Sequence, residues 1–87
     1  MIIDDDEDIN NLFKIFLEYD GYKVDAFTDA IDALYSFRKN VYELVLLDLK
    51  MSKMNGMILY QKLKNIDPDL LFCVITANSS FFTFSQH

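Results

Sequence analysis

An α/β domain with a mainly parallel sheet is the architecture this sequence predicts, and three observations carry it. Short apolar runs at Leu44–Leu47 and Leu70–Ile75 have the length and composition of strands buried on both faces, and Met1–Ile3 is a shorter apolar run. The segments between them repeat apolar residues at helical spacing. Turn and cap residues separate the two kinds of segment: Asp20-Gly21, Thr28-Asp29, Asn55-Gly56 and Asp67-Pro68. Strands alternating with helices imply right-handed crossovers, which place helices on both faces of a parallel sheet.

Each element has its own signal. Met1-Ile2-Ile3 is a short first strand, followed by five consecutive acids, Asp4 to Asp8, of which Asp6, Glu7 and Asp8 suit the positive end of a helix. Ile9, Leu12, Phe13, Phe16 and Leu17 then mark one face of that helix, which should stop near Asp20-Gly21. Tyr22, Val24 and Ala26 alternate with polar residues as in a strand near a sheet edge. Thr28-Asp29 offers an N-cap to a second helix with Ala30, Ala33, Leu34 and Phe37 inward, ending in Arg38-Lys39-Asn40. Leu44–Leu47 is a central strand running into Asp48. A loop to Asn55-Gly56 leads to a third helix with Leu59, Leu63 and Ile66 inward, which Asp67-Pro68 ends. Leu70–Ile75 is the fourth strand, closed by Thr76-Ala77-Asn78.

Composition excludes several function classes. Eighty-seven residues make one small domain, and no apolar run is long enough to cross a bilayer. A net charge of −6 is a poor footprint for phosphate backbones or anionic lipid, so neither nucleic acid nor membrane is expected as a direct partner. The charge is uneven: residues 1–48 hold twelve acids and four bases, and residues 49–87 two acids and four bases. The one cysteine, Cys73, lies in an apolar strand and reads as a buried structural residue in a reducing compartment, which with the lack of a signal peptide points to the cytoplasm. His87 is alone and makes neither a triad nor a zinc site, and Asn78-Ser79-Ser80 matches a glycosylation sequon by accident.

Parallel sheets bind ligands at the carboxyl ends of their strands. Those ends here carry Asp4-Asp5, Asp48 and Thr76, so carboxylates and a hydroxyl converge on one crevice. Clustered carboxylates repel unless a hard cation compensates, which makes a divalent-metal site the economical reading. It is not an EF-hand, because the sixth and twelfth positions counted from Asp4 are Ile9 and Ile15. Asp48-Leu49-Lys50 also lacks the second acid that haloacid-dehalogenase-like phosphatases place two residues on.

Taken together, the acid pair after a short strand, the apolar strand into Asp48, the Met51-x-x-Met54-Asn55-Gly56 loop and Thr76-Ala77 after strand four resemble the receiver domain of two-component response regulators. The resemblance covers residues 1–78. It implies a flavodoxin-like doubly wound parallel sheet in the order 2-1-3-4 and a phosphorelay signalling role in place of enzymatic turnover. It further implies Asp48 as acceptor of a phosphoryl group from a sensor histidine kinase or phosphotransfer protein. Mg²⁺ would be bound by Asp5 directly, by Asp4 through water, by Asp48 and by the backbone carbonyl of Lys50, while the Thr76 hydroxyl contacts the phosphoryl group.

Two departures accompany it. Ser52 stands where the family's loop has proline, and Asn55 where it has aspartate; both suit a turn. Eleven residues follow Thr76, whereas a helix, a strand and another helix need about 30. The fifth βα unit is therefore expected to be missing, as in a receiver cut short, and with it the family's strand-five lysine; no lysine follows Lys64. Residues 79–87, with Phe81-Phe82-Thr83-Phe84, form an aromatic tail outside the family pattern. Three fates stand open for it: packing over strand four, docking on or exchange with a second molecule, and disorder. The alternative function is accordingly a non-switching interaction module that forms a homodimer or strand-exchanged oligomer through an exposed strand-four edge.

Overall fold

The computed structural model describes residues 1–49, 55–75 and 81–84, with Ile75 and residues 81–84 described by backbone pairing alone. In chain order the elements are β1 (Ile2–Ile3), α1 (Glu7–Tyr19), β2 (Ala26–Phe27), α2 (Ala30–Ser36), β3 (Leu44–Asp48), α3 (Gly56–Ile66), β4 (Leu71–Ile75) and β5 (Phe81–Phe84). The sheet runs β2-β1-β3-β4-β5, and its first four strands are parallel. This is the doubly wound order 2-1-3-4. The chain steps left from β1 to β2 and right from β2 through β3 to β4, so right-handed crossovers put α1 on one face and α2 with α3 on the other.

The main core lies on the α2–α3 face. Ile3, Val45, Leu47, Phe72 and Val74 alternate toward it along their strands and meet Ala30, Ala33 and Phe37 from the second helix and Leu59 and Leu63 from the third. Burying each large side chain contributes about 1.5–3 kcal/mol. Helix ends follow their cap residues. Asp6 accepts hydrogen bonds from the Asp8 and Ile9 amides, and Asp29 from those of Ile31 and Asp32. After α1, Gly21 adopts φ 94°. Its amide donates to the Glu18 carbonyl and that of Tyr22 to the Leu17 carbonyl, a Schellman closure.

Several expectations need correction. The apolar stripe of α1 does not face inward as a whole: Ile9, Phe13 and Leu17 are half-buried, while Leu12 and Phe16 are 50% and 62% exposed. The helix sits over β1 and β2 and turns Asn10 to the sheet, and no other described helix lies beside it to cover the rest. Ile66 is exposed, and Lys64 takes the inward place. Its Nζ lies 6.0 Å from the Tyr60 ring centroid and 5.6 Å from that of Phe72 and donates to the Leu70 carbonyl at 2.9 Å. The second strand is shorter than its alternation suggested, since Tyr22 is exposed and pairing begins only at Ala26.

The tail takes the first of its three fates, a return onto strand four, and does so as a paired strand. Strand four is not a bare edge, because β5 pairs with it antiparallel from Ile75↔Phe81 to Phe72↔Phe84. Dimerisation through an exposed strand-four edge thus loses its premise. A parallel partner for β4 needs a crossover of about a dozen residues or more, and the link over residues 76–80 is long enough only for an antiparallel return.

Candidate functional site

Register creates the site. Ile2 and Ile3 of β1 pair with Leu46 and Leu47 of β3, so the next residues, Asp4 and Asp48, leave the sheet side by side at its carboxyl end. Asp5 follows, and one carboxylate oxygen from each of Asp4, Asp5 and Asp48 lies within 4.8 Å of the others. The three form a gradient from the sheet outward: Asp4 is buried, Asp48 half-buried and Asp5 exposed.

Electrostatics follow from that gradient. Burial raises the Asp4 pKa to about 6; the hydrogen bond from the Asp6 amide opposes the rise, and the charge of Asp48, a hydrogen bond shared with Asp48 and the charge of Asp5 reinforce it. The crevice therefore favours positive charge, either a proton on Asp4 or a cation. An all-oxygen donor set of three carboxylates, one of them open to solvent, fits a hard divalent ion of the Mg²⁺ or Ca²⁺ kind.

Two further residues support the site, Asn10, which the sequence does not single out, and Gly56, whose part there differs from a turn. Asn10 on α1 donates from Nδ2 to the carbonyls of Asp4 at 2.8 Å and Phe27 at 2.9 Å, joining the ends of β1 and β2. The available signal was that residues 10, 13, 14 and 17 satisfy helical spacing as well as the apolar set does. Gly56 was read as a turn residue, but it opens α3 directly beneath the Asp48 backbone. A Cβ there would stand 2.5 Å from the Leu49 Cα and 2.8 Å from the Asp48 carbonyl oxygen. Asn55 caps this helix by accepting from the Met57 amide. Lys50 and Thr76, expected as further contributors, lie outside the described residues, as do Met51, Ser52, Met54, Asn78 and His87.

Comparison with known proteins agrees with this geometry. The family model for the response regulator receiver domain matches residues 1–86. The C4-dicarboxylate transport transcriptional regulatory protein DctD of Rhizobium meliloti is 32% identical over 88% of the chain, and the response regulator SaeR of Staphylococcus aureus is 32% identical over 91%. The chain spans only 17% of DctD and 34% of SaeR. Among solved structures, the non-phosphorylated HemR receiver domain of Leptospira biflexa superposes with a TM-score of 0.84 at 32% identity, covering 91% of this chain and 64% of its own. The response regulator TrrA of Thermotoga maritima, solved with Mg²⁺-BeF, gives 0.75 at 28% identity, covering 87% of this chain and 66% of its own. TrrA in complex with the histidine kinase ThkA gives 0.80 at 29%, covering 91% and 68%. With the sheet order, the clustered aspartates and the family match in agreement, the chain belongs to the response regulator receiver domain family of two-component signalling.

Proposed function

We propose that this chain is a phosphoacceptor switch in which Asp48 takes a phosphoryl group from a phosphohistidine of a sensor histidine kinase or phosphotransfer protein. The observation that carries the reading is the meeting of Asp4, Asp5 and Asp48 at the carboxyl ends of adjacent strands. The likeness to TrrA, solved with Mg²⁺-BeF and with a histidine kinase, supports both the metal and the partner. Asp5 and Asp48 would hold Mg²⁺ through carboxylate oxygens, Asp4 through water and Lys50 through its backbone carbonyl. When bound, Mg²⁺ supplies the positive charge that lets a carboxylate approach an anionic phosphoryl group.

The transfer itself belongs to Asp48. One of its carboxylate oxygens attacks phosphorus, the bond from phosphorus to the donor imidazole breaks, and the leaving nitrogen keeps the electron pair. The product is an acyl phosphate carrying about −1.5 to −2 charge where the Asp48 carboxylate carried −1, which the Thr76 hydroxyl reports by donating to a phosphoryl oxygen. Water later hydrolyses the same bond. The chain is a cytoplasmic signalling module whose only chemistry is its own phosphorylation and dephosphorylation, and it makes no direct contact with nucleic acid or membrane. No helix among the described residues is long and apolar enough to cross a membrane.

Incubation with acetyl phosphate and Mg²⁺, followed by intact-mass measurement, tests the reading. A gain of one phosphoryl group is expected in the wild type and none in Asp48→Ala. No gain in the wild type, or an equal gain in the variant, overturns it.

A further inference from the structure

Asn10 is 3% exposed and is the one buried residue of α1. Its Nδ2 donates to the Asp4 carbonyl at the end of β1 and to the Phe27 carbonyl at the end of β2, while its Oδ1 is buried with no partner among the described residues. A buried acceptor without a partner costs about 1–3 kcal/mol, and a leucine there would avoid that cost while burying more apolar surface. Packing alone does not account for an amide at this position.

What the amide holds is the peptide between Asp4 and Asp5. The Asp4 backbone is tied at both ends: its N–H donates to the Phe27 carbonyl at 3.1 Å and its C=O accepts from Asn10 at 2.8 Å. The Asp4 side chain is tied in turn by the Asp6 amide at 2.9 Å. Fixing the plane of the Asp4 carbonyl fixes the plane of the Asp5 amide and the position of the Asp5 Cα, the point from which the exposed Asp5 side chain leaves the chain. Asp5 has no such tie of its own among the described hydrogen bonds.

We infer that Asn10 is a positioning residue that orients the Asp4–Asp5 peptide, so that both carboxylates face Asp48, and thereby sets the crevice's affinity for a divalent cation. The inference rests on the metal reading above and adds a residue outside the acidic cluster to it. Supporting residues of this kind change metal affinity by about 10–100-fold when removed.

The test titrates Mg²⁺ alone, by calorimetry, into the full 87-residue chain and the variants Asn10→Ala and Asn10→Leu, at a temperature where circular dichroism shows each folded. A Leu63→Val variant, destabilised on the opposite face, serves as the control for stability. Mg²⁺ affinity is expected to fall about tenfold or more in both Asn10 variants and to stay within about twofold in the control. Wild-type affinity in a folded Asn10 variant overturns the inference. A folded wild type that takes up no Mg²⁺ overturns the metal reading instead, and this inference with it. Should neither Asn10 variant fold, a Mg²⁺ titration of the wild type followed by NMR replaces them. The Asn10 side-chain amide resonances are expected to shift in parallel with the Asp5 backbone amide, and movement of Asp5 alone overturns the inference.

Discussion

Replacing Gly56 by alanine sets two calculable effects against each other. The added methyl carbon would lie 2.5 Å from the Leu49 Cα, 2.8 Å from the Asp48 carbonyl oxygen and 3.0 Å from the Leu49 carbonyl carbon, where ordinary contact begins near ~3.5 Å. All three atoms are backbone, so no rotamer change relieves the clash; the start of α3 and the β3 exit must separate by roughly 1 Å. Overpacking of this kind costs about 1–3 kcal/mol, while alanine returns at most ~1 kcal/mol through helix propensity and a less flexible unfolded chain. The net loss is about 1–2 kcal/mol, which for a domain of this size lowers the melting temperature by roughly 5–15 °C. Thermal unfolding followed by circular dichroism measures it. Because the displaced oxygen is that of Asp48, Mg²⁺ affinity should fall in the same variant. An unchanged or raised melting temperature would refute the reasoning, since the close approach would then not be what holds the two elements together.

Three further substitutions test separate parts of the structure. Asp4→Asn removes a carboxyl whose pKa is raised to about 6 in the folded chain. The folded state holds that proton more tightly than the unfolded one, so its contribution to stability is complete below about pH 4 and is lost as pH rises through about 6. Metal-free Asp4→Asn should therefore exceed the wild type in urea unfolding by about 1–2 kcal/mol at pH 7.5, after allowing for the solvent-open side of the crevice, and match it near pH 4. Lys64→Met removes the ammonium near the Tyr60 and Phe72 rings and leaves the Leu70 carbonyl without its 2.9 Å donor, and should lower the urea midpoint by the equivalent of about 1–2 kcal/mol with an unchanged m value. Tyr42→Phe removes the 2.6 Å hydrogen bond to Asp25 and with it the tyrosine whose hydroxyl burial pushes up to about 12. Spectrophotometric titration should lose that late-titrating tyrosine while stability changes by less than about 1.5 kcal/mol.

The parts of this fold that sequence made legible are those where one physical requirement dominates. Runs such as Leu44–Leu47 have no polar residue to turn outward, so a strand buried on both faces is the economical solution, and the acid after it then has to emerge at the carboxyl end of the sheet. Asp4 was legible in the same way. Helix faces were less so, because spacing identifies a stripe and not the direction it faces: in α1 the sheet takes Asn10, and Leu12 and Phe16 are left exposed. Lys64 was hidden because a long stem with a charged tip serves an inward position once a carbonyl, here that of Leu70, lies within reach of Nζ. Gly56 was found but misread, since Asn-Gly signals a turn by composition, whereas a backbone approach of 2.5 Å exists only in three dimensions.

The antiparallel β5 follows from the short link before it, and it predicts how the sheet edge behaves. β4 is apolar on both faces and pairs with β3 along its full length, so its other side presents a row of backbone donors and acceptors that any strand can satisfy. The five-residue link over 76–80 brings Phe81 back beside Ile75 and carries the chain down to Phe84 beside Phe72, pairing four of the five β4 residues and leaving Leu71. Running in that direction, β5 begins at the crevice end of the sheet instead of ending there, so it cannot deliver a residue to the site in the manner of a parallel fifth strand. Its effect is to shield the edge. Ending the chain after Ser80 removes the shield while leaving Asp4, Asp5 and Asp48 in place. In sedimentation equilibrium the shortened chain should associate with rising concentration while the 87-residue chain stays monomeric, and Mg²⁺ affinity per chain should be unchanged. A shortened chain that remains monomeric at the same concentrations would show that the β4 edge needs no partner, and that β5 is a consequence of the return link alone.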